Sequence, residues 1–183
     1  LWQSYNIASA RLGIELGYDS VQETFSKLGI SKPIERYPSL FIGSFEMSPF
    51  DAIQSYQAIA ADGFYSPLRS IRDIKDLKGD VDFSYPYKIE QRIRPEPVHL
   101  LKFAMKQTFV SGTARGYSRP TIESWQAGGK TGTSEKRGLR GGYDRGKRMS
   151  SFVAAFPMNK PRYVILVMLD EPKGTKRTQG YAT

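Results

Sequence analysis

A cation, two hydroxyls and close-packing glycines come together in Gly128-Gly129-Lys130-Thr131-Gly132-Thr133. Glycine carries no side chain, so another backbone or a ligand can approach closely there. Alternate residues of an extended strand share a face. Such a strand can hold a carboxylate with a cation and hydroxyls while its backbone N–H groups serve a substrate. The same residues also suit a polar hairpin with an exposed lysine. Near the other end of the chain, Ser4-Tyr5-Asn6 precedes a helical pattern and offers a hydroxyl and a carboxamide, able to relay a proton and orient an amide. Serine and asparagine before a helix also serve simply as caps.

What else could do chemistry is limited. The chain has no cysteine, which excludes disulfides and thiolate metal sites, and its single histidine, His99, excludes any mechanism that needs two. His99 falls in a helical stretch and reads as a packing residue. A serine nucleophile would therefore need another base, and a lysine whose pKa is lowered by its surroundings is the candidate.

The elements that must position these groups follow from periodicity. Ile7 to Leu16 reads as a helix, with Ile7, Ala10 and Ile14 near one face and Gly17 as its stop. A second helix is expected from Asp19, with Gln22 as capping-box partner, Val21, Phe25 and Leu28 at helical spacing, and Gly29 at its end. Ser31 to Phe45, punctuated by Pro33 and Pro38, reads as loop. The third helix has Ser48 as N-cap, Pro49 in first position and Asp51 in the first turn. Phe50, Ile53, Tyr56 and Ile59-Ala60 form its expected buried stripe, and Gly63 closes it. Short strands and turns are expected from Tyr65 to Ile93, with a turn at Lys78-Gly79-Asp80. Pro95 and Pro97 lead into a fourth helix whose stripe is Val98, Leu101, Met105 and Phe109, with Gly112 as its stop.

The period then changes. Ser124 to Ser134 is the expected strand carrying the lysine, followed by a Gly- and Arg-rich connection through Arg148 and a strand over Ser151 to Phe156. A turn at Pro157 to Pro161 leads into the apolar run Arg162 to Asp170, which reads as a strand buried on both faces. Helices first and an antiparallel sheet later predict an α+β arrangement, a sheet packed against helices.

The 183 residues, at 39% hydrophobic and 13% aromatic, suit one folded globular domain with a real core, or a large part of a bigger one. No apolar run is long enough to span a bilayer. The net charge of +9 is concentrated in Lys136-Arg137, Arg140, Arg145, Lys147-Arg148 and Lys173 to Arg177. A basic face suits anionic partners, but no nucleic-acid module signature accompanies it. A solvated basic loop is the simpler account, and nucleic acid is not expected as a partner.

Taken together, Ser4-Tyr5-Asn6 and Lys130-Thr131-Gly132-Thr133 match two of the three elements S-x-x-K, S-x-N and K-T-G that mark penicillin-binding proteins and class A β-lactamases. Their order and wide, helix-filled separation also resemble that superfamily. Gly43 to Pro49 with the alanine-rich helix after it, and Val110-Ser111-Gly112-Thr113-Ala114 ahead of K-T-G, are similar to segments of penicillin-binding transpeptidase domains. Leu1 to about Ile122 resembles the class A, bifunctional enzymes. Gly141-Gly142-Tyr143-Asp144 and Arg162-Tyr163 through Asp170-Glu171-Pro172 resemble the class B, monofunctional ones. Gly180-Tyr181-Ala182-Thr183 resembles the start of the family's last helix.

The resemblance implies a β-lactamase/transpeptidase-like fold, with the chain as the C-terminal part of the domain, helical over about 1–112 and sheet over about 113–183. No serine is followed by lysine three positions later; Thr24 with Lys27 and Thr133 with Lys136 are the nearest threonine versions. The acylated serine is therefore expected upstream of Leu1, and the 183 residues alone are expected to be inactive.

The implied activity is a peptidoglycan D,D-transpeptidase that cross-links stem peptides through a serine acyl-enzyme, without metal or organic cofactor. Ser4 and Lys130 would share proton transfer, and Asn6 would hold the acyl-side amide. Thr131 and Thr133 would grip the terminal carboxylate, Gly132 would let the strand lie flat against substrate, and the Thr133 N–H would serve as an oxyanion donor. β-Lactam antibiotics, stem peptides and other cell-wall or division proteins are the implied partners, at the periplasmic or extracytoplasmic face of a bacterial membrane. A serine β-lactamase remains an alternative, although Ser31 to Phe45 offers only Glu35 as a deacylating carboxylate. A non-catalytic relative that binds cell-wall peptides or division proteins is the other.

Overall fold

The computed structural model describes residues 1–117, 119–137 and 142–173, with the side chains of 137 and 143–146 left aside. The longer helices among the described residues are α1 (Asn6–Leu16), α2 (Tyr18–Lys27), α3 (Pro49–Ala60) and α4 (Pro95–Val110), all ahead of the main sheet. Between α3 and α4 lie the short strands β1 (Phe64–Tyr65), β2 (Asp73–Lys75), β3 (Val81–Ser84) and β4 (Glu90–Gln91). They form two small antiparallel pairs, β1 with β4 and β2 with β3. A short helix α5 (Pro120–Ser124) leads into the sheet of β5 (Gly128–Arg137), β6 (Tyr143–Phe156) and β7 (Tyr163–Asp170), antiparallel in the order β5-β6-β7. The predicted α+β architecture is present.

The α3 start forms as its residues dictate. Ser48 Oγ accepts from the Asp51 N–H at 3.1 Å, the Asp51 carboxylate accepts from the Ser48 N–H at 3.3 Å, and Pro49 occupies the first turn. Gly63, at φ 88°, closes the helix by donating its N–H to Ala58 O at 2.9 Å. The core joins α3, α4 and the sheet: Ile59, Val98, Met105, Ala155 and Met158 are buried together, with Tyr56, Leu101 and Val164 against them. Lys102 is also buried, at 7% exposure, with its Nζ 2.7 Å from Asp62 Oδ1. His99 stands exposed on α4, its Nε2 3.3 Å from the same oxygen, a surface rather than a packing position.

Several expectations need correction. The capping box at Asp19 and Gln22 does not form: α2 begins at Tyr18 with no side-chain cap, and Gln22 Oε1 accepts from the Ile34 N–H at 2.7 Å instead. The stretch from Ser31 to Phe45 contains a 3-10 turn over Pro38–Ile42. On α3, Phe50 is exposed, and the buried positions are Gln54, Ser55, Ala58 and Ile59. Gln54 reaches burial because its amide bonds Ser66 O at 3.0 Å and the Leu68 N–H at 2.8 Å, a polar group satisfied inside.

The lysine-bearing strand starts at Gly128, not Ser124, because Pro120 opens the short helix α5, of which Ser124 is the last residue. The next strand begins at Tyr143, inside the expected connection, so β5 and β6 pair as far as Arg137 with Tyr143. Of Gly141 to Asp144, Gly141 lies outside the described residues, as does Gly180 to Thr183. β7 is not buried on both faces: Tyr163, Ile165, Val167 and Leu169 are exposed while Val164 and Leu166 are half-buried. α3 and the core cover one side of β7, and no described element covers the other.

Candidate active site

Ser4 stands at the end of a tight turn in which its N–H donates to Leu1 O at 3.1 Å. Its φ of 53° lies in the left-handed region, which costs a non-glycine residue about 1–2 kcal/mol. The turn is held by the connector that follows α4. Thr113 N–H donates to Trp2 O at 3.0 Å, and Gln3 Nε2 donates to Ser111 O at 3.2 Å. Neither Ser4 nor Asn6 acts as a helix cap. Tyr5 is the N-cap of α1, and its side chain makes no capping hydrogen bond. Asn6 sits exposed in the first turn, and its amide makes no hydrogen bond among the described residues.

β5 is an edge strand, and α4 braces it: Thr108, fully buried, donates its hydroxyl to Gly129 O at 2.8 Å. Gly129 admits the neighbouring strand because a Cβ there would lie 2.3 Å from Val153 O. From this braced strand Lys130 points at the Ser4 turn, and its Nζ donates to Ser4 Oγ at 2.5 Å and to Thr131 O at 2.8 Å. Lys130 forms no ion pair among the described residues. Its partial burial pushes its pKa down, because desolvation disfavours the ammonium form. A half-buried lysine without a carboxylate, in contact with a hydroxyl, can pass a proton to and from that hydroxyl.

Thr131 Oγ1 lies 2.8 Å from Thr113 Oγ1. Gly132 sits opposite Ser151, and a Cβ there would come within 2.4 Å of Ser151 Oγ. Thr133 is exposed, paired in register with Ser150. Farther along, Lys136 Nζ reaches Asp170 at 2.6 Å and Glu171 at 3.0 Å, tying the end of β5 to the end of β7. Those hydrogen bonds raise the Lys136 pKa, so this lysine stays charged. The two lysines of one strand thus have opposite environments.

The fold brings Ser4 and Lys130 into direct contact, with Thr131 and Gly132 beside Lys130 on the same strand. Asn6 follows the Ser4 turn as the first residue of α1, and Thr133 lies farther along β5 from Lys130, in register with Ser150. Sequence reasoning gave no role to Thr108 or Thr113. Thr113 was marked only by the Val110 to Ala114 resemblance, and nothing in its spacing foretells a hydroxyl contact with Thr131.

The α+β fold thus sets a half-buried lysine against a serine hydroxyl beside an edge strand. The family model for the penicillin-binding protein transpeptidase domain matches residues 1–183, and the chain belongs to that family. It is 36% identical over 135 residues to penicillin-binding protein 1B of Vibrio cholerae, covering 73% of this chain and 17% of that protein. It is 28% identical to the probable peptidoglycan D,D-transpeptidase FtsI of Caulobacter vibrioides, covering 98% of this chain and 33% of that protein. The chain thus spans about a sixth to a third of the length of these relatives. The crystal structure of penicillin binding protein 3 from Mycobacterium tuberculosis complexed with ampicillin shares its fold, with a TM-score of 0.78 at 21% identity over 92% of this chain and 43% of that one. The apo transpeptidase domain of penicillin-binding protein 3 from Burkholderia pseudomallei gives a TM-score of 0.74 at 22% identity, covering 96% of this chain and 56% of that one. No helix among the described residues is long and apolar enough to cross a membrane.

Proposed function

We propose that these residues form one wall of a peptidoglycan D,D-transpeptidase site, part of an enzyme that cross-links stem peptides through a serine acyl-enzyme. The observation that carries this reading is the contact of Lys130 Nζ with Ser4 Oγ at 2.5 Å, which puts a desolvated amine and a hydroxyl on one proton path. The nucleophile belongs to an S-x-x-K element that the 183 residues do not contain. Its Oγ attacks the carbonyl of the penultimate D-alanine, and its proton passes to Lys130 through Ser4. The tetrahedral intermediate collapses with transfer of that proton to the departing amine of the terminal D-alanine, and an amine of a neighbouring strand then takes the acyl group.

In this reading Asn6 holds the acyl-side amide, and Thr131 and Thr133 bind the terminal carboxylate with Lys130 supporting them electrostatically. Gly132 allows close approach of substrate backbone. The Thr133 N–H is one oxyanion donor, a contribution whose loss costs on the order of a hundredfold in rate. β-Lactams acylate the same serine; the ampicillin complex of the Mycobacterium tuberculosis neighbour supports that choice of ligand. In this reading the working site lies at the extracytoplasmic face of the bacterial membrane.

The test is covalent labelling of the full-length protein with a fluorescent penicillin, alongside release of D-alanine from a pentapeptide stem. Labelling with D-alanine release is the expected result. Rapid turnover of the penicillin would instead identify a β-lactamase, and absence of labelling would identify a non-catalytic relative.

A further inference from the structure

The connector between α4 and α5 touches both halves of the site at a single residue. Thr113 donates its backbone N–H to Trp2 O at 3.0 Å, in the turn that presents Ser4, and its hydroxyl lies 2.8 Å from Thr131 Oγ1 on β5. The connector is seated tightly, because a Cβ at Gly112 would fall 2.4 Å from Trp2 O. Its position is also tied to α4, where the Ala114 N–H donates to Thr108 O at 3.0 Å and Thr108 Oγ1 reaches Gly129 O. The turn, the helix end and the strand therefore share one junction.

We propose that Thr113 is a positioning residue for the Thr131 hydroxyl, fixing the direction in which Thr131 presents its proton to the carboxylate of the substrate. A hydroxyl has one hydrogen to donate and two lone pairs to accept with. With Thr113 donating to Thr131 Oγ1, the Thr131 hydrogen is left for an anion, and the two hydroxyls in series polarise one another toward it. With Thr113 unable to donate, the Thr131 hydroxyl loses its anchor and rotates among staggered positions. The neighbouring Lys130 supplies charge but no such direction. The assignment rests on the transpeptidase reading, in which Thr131 meets a carboxylate.

The test compares acylation of the full-length protein by benzylpenicillin and by its methyl ester, which lacks the carboxylate. Thr113→Val keeps the shape and the backbone N–H and removes only the hydroxyl. The acid should acylate this variant about tenfold more slowly than wild type, in keeping with one lost hydrogen bond to a charged group, while the ester rate stays within about twofold. Thr113→Ser should restore most of the acid rate. Because both rates are read on one preparation, their ratio does not depend on the fraction folded. Equal losses for acid and ester would show a merely structural residue and overturn the assignment, as would no loss for either. If wild type is acylated and Thr113→Val keeps its ratio, only this inference fails. If wild type is not acylated by benzylpenicillin, the transpeptidase reading fails and takes the inference with it.

Discussion

Lys130 Nζ and Ser4 Oγ, 126 positions apart in the chain, lie 2.5 Å from each other. The strand holds the lysine and the turn holds the serine, and the α4 end and its connector fasten the two together through Thr108 and Thr113.

Lys130→Ala removes the amine from that pair. In the full-length protein, acylation by a fluorescent penicillin should fall by about a hundredfold or more, the usual reach of a positioned general base. Folding should change little, since the lysine has no ion-pair partner among the described residues and is only half-buried. Stopped-flow labelling with a thermal melt checks both; wholesale unfolding would make the lysine structural.

Burial lowers the Lys130 pKa, so its neutral form appears at lower pH than for an ordinary lysine near 10.4. Acylation should therefore rise with pH, with a midpoint below that value. Stability has the same sign: the folded state releases the proton more readily than the unfolded one. This group's destabilising contribution is thus fully present below the folded pKa and is relieved as pH rises toward the unfolded pKa. A pH–rate profile of acylation tests the first effect, and Lys130→Met, which should lose the added slope of stability with pH, tests the second.

Gly132→Ala would push a Cβ within 2.4 Å of Ser151 Oγ. The variant should lose no more than about 1 kcal/mol of stability, as the Ser151 hydroxyl turns to another rotamer, with a modest fall in acylation rate. Ser151→Ala removes the offending oxygen and leaves its Cβ at 3.8 Å, ordinary contact, so the double variant should recover. Denaturant unfolding with labelling measures the rescue, and its failure would place the need for glycine elsewhere.

Lys102 and Asp62 pair at 2.7 Å between α4 and the end of α3, with the lysine buried and the aspartate partly open to solvent. Asp62→Ala strands the buried ammonium and should cost about 1–3 kcal/mol, below the cost in a fully buried pair because solvent screens the aspartate. Lys102→Met should be close to neutral. Chemical denaturation of both variants decides, and equal losses would show that the pair itself stabilises the fold.

Ser48→Ala should destabilise by about 1 kcal/mol, the usual cost of a lost N-cap, with no change in acylation rate per folded molecule.

The helices were legible where local chemistry suffices. Ser48-Pro49 with Asp51 starts α3, Gly63 closes it, and the Val98 to Met105 spacing finds its core partners, all within a few residues of chain. Local chemistry failed where a distant group competes. Gln22 left its expected cap for the Ile34 N–H, and Gln54 became buried because Ser66 and Leu68 offered its amide partners. The apolar run of β7 reads the same whether one face is covered or both, since burial depends on what lies against a strand rather than on the strand. The start of β5 was misplaced because α5 is a single short helix with too few residues for a period to show.

By itself, the sequence determined which groups are available for chemistry: a K-T-G-T stretch, an S-x-N triplet, no cysteine and one histidine, together with the helices and strands that carry them. It also determined the family, because the two motifs stand in the right order. Tertiary structure alone decided that the lysine and the serine touch, that the lysine loses enough water to lower its pKa while Lys136 on the same strand does not, and that Thr113 stands behind Thr131. Distance, desolvation and hydroxyl direction are properties of packed neighbours, and residues more than a hundred positions apart become neighbours only when the chain folds.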